Sequence, residues 1–312
     1  MRKITLLVLT LFFGVGALYP RQIKLLAIGN SFSEDALEHY LYGLVAANGD
    51  TILIGNLYIG GCSLEKHYNN SQGDLPAYSY RKIVNGIKTV TPHYRLSDAL
   101  TDEEWDYISL QQVSSLSGQY ESFFPYIELL MSYVKEHLLK TDVEFILHAT
   151  WAYAKDSSHR GFAGYDNDQM KMYRDMIDAT SRVAQRAGIG IIIPAGTAIQ
   201  NGRTSSLGDS FCSDGYHLEH TYGRYTASCA WYEKLFGKSV VGNSYIPANT
   251  SPSHALIAQL AAHYAVREPY EITTICLPDS SSPISGDDSP SGSSAFLHDL
   301  PDCLHPAVVV VE

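Results

Sequence analysis

The strongest constraint on this chain is its rhythm. Short apolar runs at 23–28, 51–59, 107–111, 143–149 and 189–193 alternate with longer segments at 34–47, 123–139 and 169–187 whose apolar residues recur at helical spacing. Strand and helix alternating in this way predict a three-layer α/β/α sandwich around a central, mainly five-stranded parallel sheet. Ligands of such a sheet lie beyond the carboxyl ends of its strands, so chemistry is expected there. One pair of segments breaks the rhythm. Residues 78–84 meet 87–90 across Asn85-Gly86, the favoured pair for a two-residue hairpin turn, and are read as an insertion hairpin (about 78–90) near the rim of the site. Two more helices are predicted at 218–236 and 255–266.

The ends of the chain are of a different kind. Arg2 and Lys3 precede an uncharged apolar run over 4–17, and Val15-Gly16-Ala17 offers small residues for cleavage, so 1–17 reads as a signal peptide. The run is shorter than the ~20 residues that a membrane span takes. Export to the periplasm or beyond is the expected localisation, with no membrane attachment after cleavage. At the other end, 279–294 holds eight Ser, three Asp, two Pro and two Gly, a composition that buries too little surface to fold and reads as a linker. It precedes a tail at 295–312 with no assigned role, which leaves 21–276 as one folded domain.

A formal charge of -11, from 33 acidic and 22 basic residues, repels phosphate backbones, so a nucleic-acid partner is not expected. The 22 tyrosines favour surfaces that are at once aromatic and hydrogen-bonding. Five cysteines are an odd number for an oxidising compartment, and their spacing fits no metal site.

Several enzyme classes lack their motif: there is no Gly-x-Ser-x-Gly elbow, no His-Glu-x-x-His and no phosphate-cradling loop. At the end of the first predicted strand stands Gly29-Asn30-Ser31-Phe32-Ser33, ahead of a helix expected to begin near Glu34. A serine there lies at the sheet's ligand edge; Ser33, just before the helix, suits the cap and Ser31 the chemistry. A serine hydroxyl needs a histidine to take its proton and a carboxylate to fix that histidine's tautomer. Asp214-Gly215-Tyr216-His217 supplies both within one turn. His217, Glu219 and His220 lack a defined third metal ligand, and neither metal nor cofactor is expected. Gly208-Asp209-Ser210-Phe211 is a competing serine motif, with no strand before it.

Gly29-Asn30-Ser31-Phe32-Ser33, the stretch from Gly60-Gly61-Cys62 to His67, Trp105-Asp106-Tyr107 leading to Gln111-Gln112, and Ser213 to His217 together resemble the ordered blocks of the SGNH hydrolase superfamily, the GDSL-like esterases and lipases. More narrowly they resemble an exported, poorly characterised branch from gut bacteria. The resemblance spans 24–236 and implies that superfamily's flavodoxin-like fold. It also implies Ser31 as nucleophile, His217 as base, Asp214 as its orienter, and an oxyanion site made by the amides of Ser31 and Gly61. The superfamily's third-block asparagine is replaced here by Gln111-Gln112; Gln112 is taken as the donor, with Gln111 behind it. The same blocks should converge, so Cys62 and Cys212 are either bonded or two small buried thiols.

Trp151, Tyr153 and Tyr216 are candidates for an aromatic wall against a sugar ring, and His148 for a core histidine. The reading is an exported serine esterase that removes acyl groups, acetyl foremost, from a small molecule or polysaccharide. Its rivals are a non-catalytic carbohydrate-binding protein of the same fold, and a lipase or thioesterase with the same triad.

Overall fold

The computed structural model describes residues 21–277. The signal peptide, linker and tail expected at 1–17, 279–294 and 295–312 lie outside the described residues.

The chain builds one seven-stranded sheet. Its parallel members are β1 (Gln22–Gly29), β2 (Thr51–Tyr58), β5 (Tyr107–Leu110), β6 (Glu144–His148) and β7 (Ile191–Ile193). They lie in the order β2-β1-β5-β6-β7, all parallel, the flavodoxin-like order of an open doubly wound sheet. Burial on both faces is legible along β1: Ile23, Leu25 and Ala27 join the core on one side, Leu26 and Ile28 that on the other.

The first core is closed by α1 (Ser31–Leu37), α2 (Leu41–Ala47), α7 (Ala195–Gly202), α8 (Tyr222–Phe236) and α9 (Pro252–Arg267). The second is closed by α3 (Leu64–Gln72), α4 (Leu96–Leu100) and α5 (Tyr126–His137). The long α6 (Gln169–Ala187) gives Met172, Tyr173 and Met176 to the first and Val183 to the second. The helix expected over 34–47 is two helices, and the first starts at Ser31 itself.

The predicted hairpin forms, with β3 (Tyr78–Val84) and β4 (Ile87–Tyr94) joined by Asn85 and Gly86, both at positive φ as a type I′ turn requires. Its place differs from the expected one. It adds to the sheet, with β3 antiparallel to β2 in the register Tyr58↔Ser79 and Ile54↔Ile83. The turn therefore lies at the end of the sheet away from the carboxyl edge, and only the hairpin's open end stands beside the site. The reason is direction: an antiparallel strand beginning where β2 ends carries its turn back towards where β2 began.

Candidate active site

The nucleophile candidate is fixed by how α1 starts. Asn30 is the N-cap: its extended backbone ends β1 and its Oδ1 accepts from Phe32 N–H at 3.0 Å. Ser33, expected in that role, is instead inside the helix, where its hydroxyl lies 2.7 Å from Asn30 O and 2.9 Å from Asn56 Oδ1 and shares its one proton between them. Ser31 is thus the first helical residue, with an N–H that has no intrahelical acceptor and the positive end of the helix beneath it.

The loop 213–217 brings its partner across. His217 Nε2 lies 2.9 Å from Ser31 Oγ, and His217 Nδ1 lies 2.7 Å from Asp214 Oδ2. The other carboxylate oxygen accepts from the backbone N–H groups of Tyr216 (3.1 Å) and His217 (2.8 Å). Burial pushes the Asp214 carboxyl up, and these hydrogen bonds, His217's side chain foremost, more than offset it and hold its pKa below the ordinary value. An ionised Asp214 keeps the imidazole proton on Nδ1, leaving the Nε2 lone pair for the Ser31 hydroxyl.

The loop is anchored at several points. Cys212 bridges Leu218, Ala154 N–H donates to Gly215 O at 2.8 Å, and Leu218 N–H donates to Asp35 Oδ2 at 2.8 Å. Asp35, one helical turn beyond Ser31, is 2% exposed and paired with Arg224 Nε at 2.8 Å. Helix α1 and the histidine loop are therefore stitched together by one buried carboxylate, a residue the sequence reading had not singled out. The signal was its i, i+4 spacing from Ser31.

These residues open on a cavity of about 290 Å³ at the carboxyl edge of the sheet, lined in part by Ser31, Gly61, Tyr58, His159, Tyr216 and His217. Gly61 has φ +60°, the left-handed region, and a Cβ there would meet no atom within 4 Å, so the backbone conformation and not crowding is what glycine serves. Tyr58 is held by Arg81, whose guanidinium lies 3.6 Å from the ring centroid and pairs with Glu34 of α1 at 2.9 Å. This is the hairpin's contribution to the site.

Three expected site residues do not reach the cavity. Gln112 is 2% exposed; its Nε2 donates to Ser122 O at 2.9 Å and its Oε1 accepts from the N–H groups of Leu64 (3.0 Å) and Val113 (2.9 Å). Its amide is thus committed to fastening loops and is not placed to serve an oxyanion. Gln111 points beneath Asn30 instead, donating from Nε2 to Asn30 Oδ1 at 2.7 Å while its Oε1 faces His148 Nδ1 at 2.8 Å. That pairing puts the His148 proton on Nδ1, and full burial drives its pKa down to about 3, so the ring is a neutral core donor.

Trp151 is also buried, at 0% exposure. It stacks on Phe32 with centroids 4.2 Å apart and donates from Nε1 to Tyr216 O at 2.8 Å. Trp151 is therefore no sugar wall: it supports Phe32 and the histidine loop from below, and Tyr153, also at 0% exposure with its hydroxyl 2.8 Å from Ser114 Oγ, is core as well. Tyr216 does line the cavity, its ring 4.1 Å from that of His217.

Cys62 and Cys212 carry free thiols, both with pKa raised by burial, to about 12 and about 11. The expected alternative of a bond between them is not what the structure holds. In the competing motif, Asp209 pairs with Arg203 Nε at 2.8 Å and Ser210 Oγ donates to Leu207 O at 2.8 Å, so both maintain a loop. Glu219 turns to the backbone N–H groups of Thr221 (3.0 Å) and Gly223 (3.2 Å). No cluster of three or more potential metal ligands occurs among the described residues.

A family model described as a domain of unknown function, DUF4886, matches residues 24–265. The chain belongs to the DUF4886 family. A crystal structure of a DUF4886 family protein from Bacteroides uniformis is 49% identical and superposes with a TM-score of 0.80, covering 81% of this chain and 98% of that one. The DUF4886 domain also matches a proposed SGNH hydrolase from Slackia heliotrinireducens at 17% identity and TM-score 0.47, over 70% of this chain and all (100%) of that one. Axe2, an acetylxylan esterase from Geobacillus stearothermophilus, matches at 11% identity and TM-score 0.44, over 74% of this chain and 99% of that one. Both likenesses are too low to assign chemistry to a DUF4886 domain, and its own residues must carry that argument. No curated protein matches the chain.

Proposed function

We propose that this protein is an exported serine esterase of the SGNH type that cleaves acyl esters, acetyl foremost, on carbohydrate-like substrates. The observation that carries the proposal is the continuous hydrogen-bonded line from Ser31 Oγ through His217 to Asp214, with distances of 2.9 and 2.7 Å, opening on a cavity at the sheet's carboxyl edge. Ser31 Oγ attacks the ester carbonyl carbon while its proton passes to His217 Nε2. The oxyanion that forms is met by the N–H groups of Ser31 and Gly61. The intermediate collapses as His217 returns the proton to the leaving alcohol oxygen, and water, with His217 again as base, releases the acid from Ser31. With Gln112 committed elsewhere, the oxyanion site has two backbone donors and no side-chain amide from the third block.

A cavity of about 290 Å³ suits a short acyl group, and its aromatic and polar rim suits a hydroxylated alcohol better than a lipid tail. Hydrolysis of p-nitrophenyl acetate is the first test. Ser31→Ala is expected to lower kcat by at least about 1,000-fold, the scale of losing a nucleophile. Equal rates for the variant and the wild type would show that hydrolysis does not pass through Ser31.

A further inference from the structure

The cavity has two chemically different sides. His217 Nε2 must hand its proton to the leaving oxygen, so the alcohol portion of a bound ester lies on the side where His217 stands. Gly60, Gly61 and Tyr58 line the side of the oxyanion donors. The His217 side is lined by Tyr216 and by His159, whose ring centroid is 4.8 Å from that of Tyr216.

His159 is held in one orientation and one tautomer. It caps the short 3₁₀ turn at Arg160–Tyr165, its Nδ1 accepting from Gly161 N–H at 3.0 Å. Its ring is flanked by Tyr153, at 4.8 Å between centroids, and by Tyr216. With Nδ1 engaged as an acceptor, the proton of the neutral ring sits on Nε2. Burial, then the charges of Arg160 and of a protonated His217, push its pKa below the ordinary histidine value, which keeps the ring neutral at pH 7. A fixed, neutral N–H donor half-buried in a cavity wall loses little rotamer freedom when it binds an acceptor.

We propose that His159 Nε2–H recognises a hydroxyl on the leaving alcohol adjacent to the ester oxygen, so that the preferred leaving group is a vicinal polyol and not a simple alkyl alcohol. This inference rests on the esterase reading above, and it names a specificity-determining residue and a substrate class for that same cavity. A site built to donate to a substrate hydroxyl discriminates against the analogue that lacks it, because the donor is then left without a partner.

The test compares kcat/KM for glycerol monoacetate and n-propyl acetate, which share the acyl group and the three-carbon alcohol but differ in hydroxyls. The wild type is expected to favour the monoacetate by about 10-fold, the effect of one neutral hydrogen bond at a half-exposed site. His159→Leu and His159→Asn are both expected to bring the ratio close to one. Asparagine at this cap position keeps an acceptor for Gly161 N–H but withdraws the donor at Nε2, which separates loss of the turn from loss of recognition. A wild-type ratio near one, or a ratio unmoved by either variant, overturns the inference and leaves the esterase reading standing. Hydrolysis of both esters that persists unchanged in Ser31→Ala, or no hydrolysis of either by the wild type, defeats the esterase reading and the inference with it.

Discussion

Asp35→Ala is the perturbation that most sharply joins this fold to its chemistry. Asp35 is 2% exposed and serves two partners, Leu218 N–H and Arg224 Nε, each at 2.8 Å. Truncation leaves the buried Leu218 N–H without an acceptor, which costs about 1–3 kcal/mol. It also strips Arg224 of its counter-charge, and breaking a buried ion pair from one side costs about 3–5 kcal/mol. Arg224 keeps 17% side-chain exposure and can turn towards water, so the low end of each range applies and the expected loss is about 4 kcal/mol in all. With a urea m-value of about 3 kcal/mol/M, the unfolding midpoint should fall by about 1 M at constant slope. Arg224→Ala removes the same pair from the other side, so the double variant should lose clearly less than the sum of the singles. Because Leu218 follows His217, kcat on p-nitrophenyl acetate should also fall by about 10-fold or more under folded conditions, as small misplacements of a catalytic group do. Additive losses, or a midpoint for Asp35→Ala within about 0.2 M of wild type, would refute the reasoning.

The two adjacent glutamines should separate. Gln111→Leu leaves the His148 Nδ1 proton without an acceptor and takes from Asn30 Oδ1 one of its two donors, so stability and kcat should fall together, whereas Gln112→Ala should destabilise by about 1–3 kcal/mol through Leu64 N–H and Ser122. A loss in kcat of about 100-fold or more for a folded Gln112→Ala would instead return that residue to the oxyanion site. His67 and His148 are both fully buried with pKa pushed down to about 3 by burial, against 6.5 in the unfolded chain. The unfolded state therefore binds protons that the folded state refuses, and stability falls as pH drops below 6.5, by about 4 kcal/mol for the pair between pH 7 and pH 5. Their imidazole NMR resonances should not titrate in that window; titration of either near pH 6 would contradict the placement.

How much of this was legible in the sequence depended on whether a signal was local. Asp214 and His217 sit three residues apart in one turn, so their mutual geometry was written into the spacing. Ser31 followed from the strand-to-helix junction. Side-chain direction was the harder question. Gln111 and Gln112 are neighbours whose amides diverge at the end of β5, one under Asn30 and one to Ser122, as successive residues of an extended chain do, and composition alone could not say which went where. Trp151 and Tyr216 are both aromatic and near the site, yet only the packing of Phe32 on Trp151 decides that one is core and the other wall. Asp35 was hidden by a helix start set at Glu34; with the start at Ser31, it falls one turn along on the same face. Helix α3 was missed because its buried positions, apart from Leu64, are His67, Asn70 and Ser71, which make no apolar stripe.

The central claim is that Ser31 is a nucleophile activated by His217. Covalent labelling with a fluorophosphonate, followed by peptide mapping, tests it independently of the unknown substrate, because the reagent reports only an activated serine. The label is expected on Ser31, absent in Ser31→Ala and strongly slowed in His217→Ala. A label on Ser210, or an unmodified Ser31 in the folded wild-type protein, would contradict the account.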